Sequence, residues 1–230
     1  MFNILRHGKR NTAADLARAI LADAKSYHPL GYYASSRMKR PEEAFHQRWQ
    51  IVSRVIQEYS AGNLCDLGCA EGYYVRRAAC EHGIFAVGID KDRRRLRSAV
   101  ALSELDQDWS CAFMQMDITS TTIRGIPQFD LIACMSLLHH IIYRNGFSEA
   151  KALLCEIAKK ATKCMVFEMG GPNEDANKWA SSLSMLAGDV DANIANLLSE
   201  CGFRNITVLG HTTGYDSSAL RGIFVAEPSV

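Results

Sequence analysis

The sequence predicts an α/β domain built on a seven-stranded, mostly parallel sheet with helices on both faces and an antiparallel last strand. Three observations carry this. Residues 63–74, NLCDLGCAEGYY, read as a short buried strand (Leu64, Cys65, Leu67), an acidic residue (Asp66), a glycine turn (Gly68, Gly72) and the start of a helix. A second acidic residue, Asp90, ends the next apolar strand, Ile84–Ile89, where a carboxylate can reach a ribose. Apolar strands and helical patterns then alternate, and the chain closes with a pair of strands, Asn205–Gly210 and Leu220–Ala226, joined by a turn around Gly214. Together these describe a nucleotide-binding crevice at the carboxyl end of a parallel sheet.

The glycine spacing narrows the ligand. A dinucleotide turn needs G-x-G-x-x-G so that a pyrophosphate can sit on the helix N-terminus. Here Ala70 stands where the second glycine would be, and Tyr73 follows Gly72. No G-x-x-x-x-G-K-[ST] run exists for a triphosphate. What remains is a nucleoside ligand without phosphates.

Composition excludes several classes. The 230 residues suffice for one α/β domain and a sizeable core. A net charge of +1 gives no general attraction to nucleic acid or membranes. No apolar run is long enough to span a bilayer, and MFNILRHGKRN has no apolar signal core, so a cytoplasmic location is expected. The eight cysteines are scattered without a C-x-x-C, and read as small core residues of a reducing compartment.

In chain order, residues 12–25 carry Ala13, Leu16, Ala17, Ile20 and Leu21 at helical spacing, and His28-Pro29-Leu30-Gly31 breaks that helix. Tyr32 and Tyr33 follow in a loop. Pro41, Glu42 and Glu43 suit the first turn of a helix that aligns Phe45, Trp49, Val52 and Ile56. Tyr73–Glu81 is helical and closed by Gly83; Lys91–Leu105 is helical with Leu96, Val100 and Ser103 on one stripe. Its basic cluster (Lys91, Arg93, Arg94, Arg95, Arg97) reads as a solvated face, with a nucleic-acid surface as the alternative, although aromatic interleaving is missing. Cys111–Met116 is a strand ending at Asp117, and Phe129–Met135 is another. Ser136-Leu-Leu-His139-His140 follows as a crevice loop, where either histidine can act as a general base or shape the loop. The histidine pair has no carboxylate cluster beside it, so no metal is expected. Ala150–Ala161 reads as a helix and Cys164–Glu168 as a strand whose Glu168 can line an acceptor pocket. Residues 173–188, with Trp179, Leu183 and Met185, read as an insertion over the site, and Asp189–Cys201 as a helix stopped by Gly202.

The D-x-G-x-x-x-G pattern followed by Gly88-Ile89-Asp90 resembles class I S-adenosylmethionine-dependent methyltransferases, over about residues 45–227. DLGCAEGYY, residues 129–169 and the terminal RGIFVAE are similar to the methyltransferase domain of bacterial kinase–methyltransferases that cap O-antigen chains; no kinase domain accompanies them here. The resemblance implies a Rossmann-like domain over 45–230 behind an N-terminal helical cap, 1–44. It implies S-adenosylmethionine held by Asp66, Gly68, Cys69, Ala70, Gly72, Asp90, Lys91, Asp117, Ile118 and Met135, with Asp90 on the ribose and Asp117 at the adenine. Asp117 is alternatively a turn or cap residue. Arg48 is read as reaching the methionine carboxylate or as a surface arginine. His139 and His140 are the catalytic candidates. The implied reaction is direct displacement onto a small-molecule or glycan acceptor, hydroxyl or phosphate. RNA methylation and a non-catalytic donor-binding module are the alternatives.

Overall fold

The computed structural model describes residues 27–29, 42–107, 110–214 and 219–229. The expected helix over 12–25 and most of the expected 1–44 cap lie outside them. The first helix among the described residues, α1 (Glu42–Glu58), begins just before the expected boundary at residue 45.

Strands β1 (Asn63–Leu67), β2 (Phe85–Asp90), β3 (Cys111–Gln115), β4 (Phe129–Met135), β5 (Ala161–Glu168), β6 (Phe203–Thr213) and β7 (Leu220–Pro228) form one sheet in the order β3-β2-β1-β4-β5-β7-β6. The pairs β1–β2, β2–β3, β1–β4 and β4–β5 are parallel, and β7 runs antiparallel to both β5 and β6. The strand order reverses between β1 and β4. Connections from neighbouring strands diverge there, which opens a crevice beyond their carboxyl ends.

Both faces of the central strands are buried, because side chains alternate along each strand. On one face Leu64, Ala86, Leu131 and Val166 pack under α1, α2 (Tyr73–His82) and α3 (Arg93–Asp106). On the other, Cys65, Leu67, Ile132, Met165 and Phe167 pack under α5 (Leu138–Asn145), α6 (Phe147–Ala158) and α7 (Val190–Glu200). Between β3 and β4 lies only a four-residue helix, α4 (Ser120–Ile123).

Local chemistry sets the helix ends. Gly83 (φ 64°) ends α2 in the left-handed region, where an added Cβ would be strained. Asp92 caps α3 by accepting from the Arg94 N–H, so this helix starts at Arg93 rather than Lys91. Its buried stripe is Leu96, Ala99 and Leu102, while Val100 is 46% exposed. Small Ala99 lies against Gly72, 3.2 Å from where a Cβ there would stand. The helix expected over 150–161 begins earlier, at Phe147, because Gly146 (φ 86°) starts it, and β5 takes residues 161–163. The closing strands are longer than expected because they pair with each other along nearly their whole length.

Candidate active site

The turn after β1 is built by its own backbone. The N–H groups of Gly68 and Cys69 both donate to the Ile89 carbonyl, at 2.8 and 3.1 Å, folding the turn onto the end of β2. Gly68 has φ 82° and Gly72 φ 72°. A Cβ on Gly72 would come within 2.5 Å of the Phe113 ring, so that glycine serves packing against β3. Cys69 is fully buried, with its sulfur 2.7 Å from where a Cβ on Gly88 would stand. Ala70 donates its N–H to Asp90 Oδ2 at 2.9 Å. Cys69, Ala70 and Gly72 therefore shape the turn, whereas Gly68 lies on the wall of the crevice.

That crevice is a cavity of about 310 Å³, within the roughly 300–1,000 Å³ of small-molecule sites. Asp66 from β1, Asp90 and Lys91 from the end of β2, Asp117 and Ile118 after β3, and Met135 at the end of β4 all line it. Asp90 is anchored from both sides, since its Oδ1 accepts the Asp92 N–H at 2.8 Å. Asp117 is exposed and is not the cap of α4. Thr119 and Thr122 form that capping box, so the Asp117 carboxylate is left to the cavity. Asp66 is 2% exposed, and its Oδ2 has no hydrogen-bond partner among the described residues. Burial first, and the nearby Asp90 carboxylate second, push its pKa up to about 8.

The two histidines face different surroundings, although their ring centroids lie 4.2 Å apart. Residues 138–145 form a helix, α5, and not the expected loop. His139 is buried, and its Nδ1 accepts the Gly170 N–H at 3.0 Å. Its ring packs on Trp179 at 4.3 Å. Gly170 fits because any Cβ there would meet Trp179 at 2.1 Å. His140 instead lines the cavity, half-buried, with its pKa lowered by burial first and then by Arg221 and Arg95. It is therefore neutral at physiological pH and able to take a proton. Leu137, Ile141 and Arg144 line the same wall. Their i, i+3, i+4, i+7 spacing with His140 was the signal available in the sequence, hidden by reading this stretch as a loop.

Neither Glu168 nor Arg48 lies on the wall of the cavity, and Arg48 is buried rather than on the surface. Glu168 is fully buried at the end of β5, where its Oε2 accepts from Arg48 Nε at 2.6 Å and its Oε1 from Arg221 Nη1 at 3.0 Å. Arg48 is 1% exposed. The two guanidiniums hold the Glu168 carboxyl down to about 2 against the opposing effect of burial. Three charged groups that cannot reach water, Glu168, Arg48 and Arg221, are kept there by mutual attraction and further hydrogen bonds.

The sequence also hid Tyr27, His28, Tyr74 and Arg95, all on the cavity wall. Glu71, inside the glycine turn, is 2% exposed and accepts the Tyr27 and His28 N–H groups at 3.1 and 3.0 Å. The His28 ring sits among Phe45, Tyr73 and Tyr74. The Arg95 guanidinium lies 5.3 Å from the Tyr27 ring centroid. The basic cluster of α3 is thus divided: Arg95 turns to the cavity while Arg93, Arg94 and Arg97 face solvent.

Residues 64–157 match the family described as "Methyltransferase domain". The match spans less than half of the chain and is a likeness to that family. It holds β1 to α6, and so includes Asp66, Asp90, Asp117 and His140. The curated relative "O-antigen chain terminator bifunctional methyltransferase/kinase WbdD" of Escherichia coli is 31% identical over 136 residues, which is 56% of this chain and 19% of that protein. The chain therefore spans only about a fifth of that relative. A crystal structure of WbdD superposes with TM-score 0.72 at 22% identity, over 92% of this chain and 46% of that one. The N-terminal domain of EvdMO1, solved in the presence of S-adenosylhomocysteine and D-fucose, gives 0.65 at 18% identity over 95% and 100% of the two chains. Magnesium protoporphyrin IX methyltransferase from Synechocystis PCC 6803, with bound S-adenosylhomocysteine, gives 0.62 at 20% identity over 94% of each. The chain thus shares the fold of these proteins. Among the described residues, no helix is long and apolar enough to cross a membrane, and no group of three or more metal-ligating side chains could hold a metal ion.

Proposed function

We propose that this chain transfers a methyl group from S-adenosylmethionine to a sugar or glycan hydroxyl, with His140 as the general base. The observation that carries this is the cavity that brings the unpartnered Asp66 Oδ2, the sheet-edge Asp90 and Asp117 and the neutral His140 imidazole onto one wall system. The donor fits these residues. It carries an ammonium that suits a buried acceptor without a partner, ribose hydroxyls that suit Asp90, and an adenine amino group that suits Asp117 beside apolar Ile118. Gly68 presents bare backbone to it, and Met135 adds an apolar surface. When bound, the donor supplies a methyl already activated on a sulfonium.

The protein's tasks are then alignment, exclusion of water and removal of one proton. His140 takes that proton from the acceptor hydroxyl; Arg144, on the same face of α5, steers the acceptor. The description of WbdD as an O-antigen chain terminator and the D-fucose present with the EvdMO1 domain support an acceptor of sugar type. A phosphate on the glycan is the second reading, favoured by three cations on the wall, Lys91, Arg95 and Arg144, and it needs no base.

Calorimetry with S-adenosylhomocysteine tests the donor site: one-to-one binding is expected. Asp90→Ala should weaken it by about 1.5–3 kcal/mol, the worth of hydrogen bonds to a charged group, or roughly 10–150-fold. No binding by the intact protein at high concentration overturns the reading. Labelled donor offered to panels of sugars and sugar phosphates separates the two acceptors, because only the hydroxyl reaction should be lost in His140→Gln.

A further inference from the structure

Arg221, in the RGIFVAE stretch of β7, has no place in the donor site described above. It is 3% exposed and makes four hydrogen bonds to three groups. Its Nε and Nη2 bond the two oxygens of Glu174 at 2.7 Å each. Its Nη1 bonds Glu168 Oε1 at 3.0 Å and Ser136 Oγ at 3.1 Å. Its guanidinium carbon also lies 5.5 Å from the Trp179 ring centroid. Trp179 in turn packs on His139 at 4.3 Å and meets His140 edge-on at 6.4 Å.

Ser136 is the hinge between β4 and α5, and holds a left-handed φ of 55°. A non-glycine residue keeps that conformation only when its surroundings over-determine it. Here the Ser136 N–H donates to the Glu168 carbonyl at 2.8 Å, and its hydroxyl donates to Glu168 Oε1 at 3.0 Å while accepting from Arg221. The direction in which α5 leaves the sheet, and so where His140 points, is fixed at this hinge.

We propose that Arg221 is a positioning residue for the general base: clamped between Glu168 and Glu174, it sets the Ser136 hinge and, through Trp179, the seat of the His140 ring. This rests on the reading of His140 given above. Lysine cannot replace it, because an ammonium has no fork to span Glu174, Glu168 and Ser136 together. A second consequence is electrostatic. Around His140 stand Asp66, Asp90, Lys91 and Asp92 from β1 and the end of β2, Arg95 from α3, Tyr74 from α2, Asp117 after β3, Tyr27 and His28 across the cavity and Arg144 on its own helix, with the His139 ring tilted 4.2 Å away. Arg221 is the foremost of the cations that favour its neutral form.

The test needs no acceptor. Protein labelled at histidine carbon is titrated by NMR, with the His140 signal assigned by its loss in His140→Gln, and the Trp179 indole signal by Trp179→Phe. Two variants are compared with the wild type: Arg221→Lys, which keeps the charge and loses the fork, and Arg221→Gln/Glu174→Gln, which removes the buried pair together and so leaves Glu168 balanced by Arg48. In the double variant the His140 titration should move up, because Arg221 is one of the charges that hold it down and Glu174 is not among the groups acting on it. In Arg221→Lys it should stay low while the Trp179 indole and His140 shifts change. Titrations and indole shifts that superpose on wild type in both folded variants overturn the proposal. S-adenosylhomocysteine binding is measured on the same samples. Its absence from the wild type would refute the donor site; its presence with an unmoved His140 would refute only the role of Arg221.

Discussion

Asp66→Asn should make the ligand-free protein more stable and a worse donor binder. Burial and Asp90 raise the Asp66 pKa from 3.8 to about 8. At pH 7 the unfolded chain ionises this carboxyl freely, while the folded chain holds it largely protonated. The interval from 3.8 to 7, at about 1.4 kcal/mol per pH unit, corresponds to a destabilisation of at most about 4 kcal/mol. Water in the cavity offsets part of that, so a gain of about 2–4 kcal/mol is expected for the neutral amide. For a chain of this size that is roughly 5–12 °C in Tm. The sign with pH follows from the raised folded pKa. The group's contribution is fully present below pH 3.8 and is lost as pH rises through about 8, so wild-type stability falls across that window more steeply than the variant's. Thermal unfolding from pH 4 to 9, paired with S-adenosylhomocysteine calorimetry, reads both effects. A variant that melts at or below the wild-type temperature at pH 7 would refute the reasoning, because Asp66 would then be a structural acceptor rather than one waiting for a ligand.

Glu168 should behave with the opposite sign. Its pKa is held from 4.5 down to about 2, so its stabilisation, about 3 kcal/mol at about 1.4 kcal/mol per pH unit, is complete above pH 4.5 and lost as pH falls through about 2. Glu168→Gln should flatten the acid limb of a denaturation series and cost about 3–5 kcal/mol at neutral pH by leaving Arg48 and Arg221 short of a counter-charge. A variant with an unchanged acid limb would show that the pair is solvated. Gly170→Ala would place a Cβ 2.1 Å from the Trp179 ring. Overpacking of about 1–3 kcal/mol or more is expected, with a Tm drop of several degrees and altered Trp179 fluorescence. A Tm within a degree of wild type would argue against tight Trp179–Gly170 packing.

The scaffold was legible in the sequence because its signals are local. The apolar run at Leu64–Leu67, the glycine turn, Asp90 at a strand end and Gly83 or Gly202 past helix ends each report their own backbone. Phe129–Met135 is a strand with those bounds. The candidate site was legible only where it follows from strand ends, as at Asp66, Asp90 and Asp117. What escaped depends on long-range partners. Arg48 and Glu168 stand 120 positions apart, and Arg221 and Glu168 53 apart, so each reads alone as a surface or pocket charge. His139 and His140 look equivalent as neighbours, and only the helix that begins at Leu138 turns one inward and the other to the cavity. On α3, the close approach of Gly72 to Ala99 decides the buried stripe, and no spacing rule contains that contact.

Glu71 gives the glycine turn two duties. The loop that shapes the crevice with Gly68 also grips the front of the chain through the Tyr27 and His28 amides. Ligand preference and chain threading are thereby written into the same five residues, Gly68 to Gly72. Remodelling that loop to admit a pyrophosphate would loosen the grip on Tyr27 and His28, and with it one side of the chamber. Swapping nucleotide specificity in this scaffold therefore demands a new anchor for the entering strand of chain, not a glycine at position 70 alone.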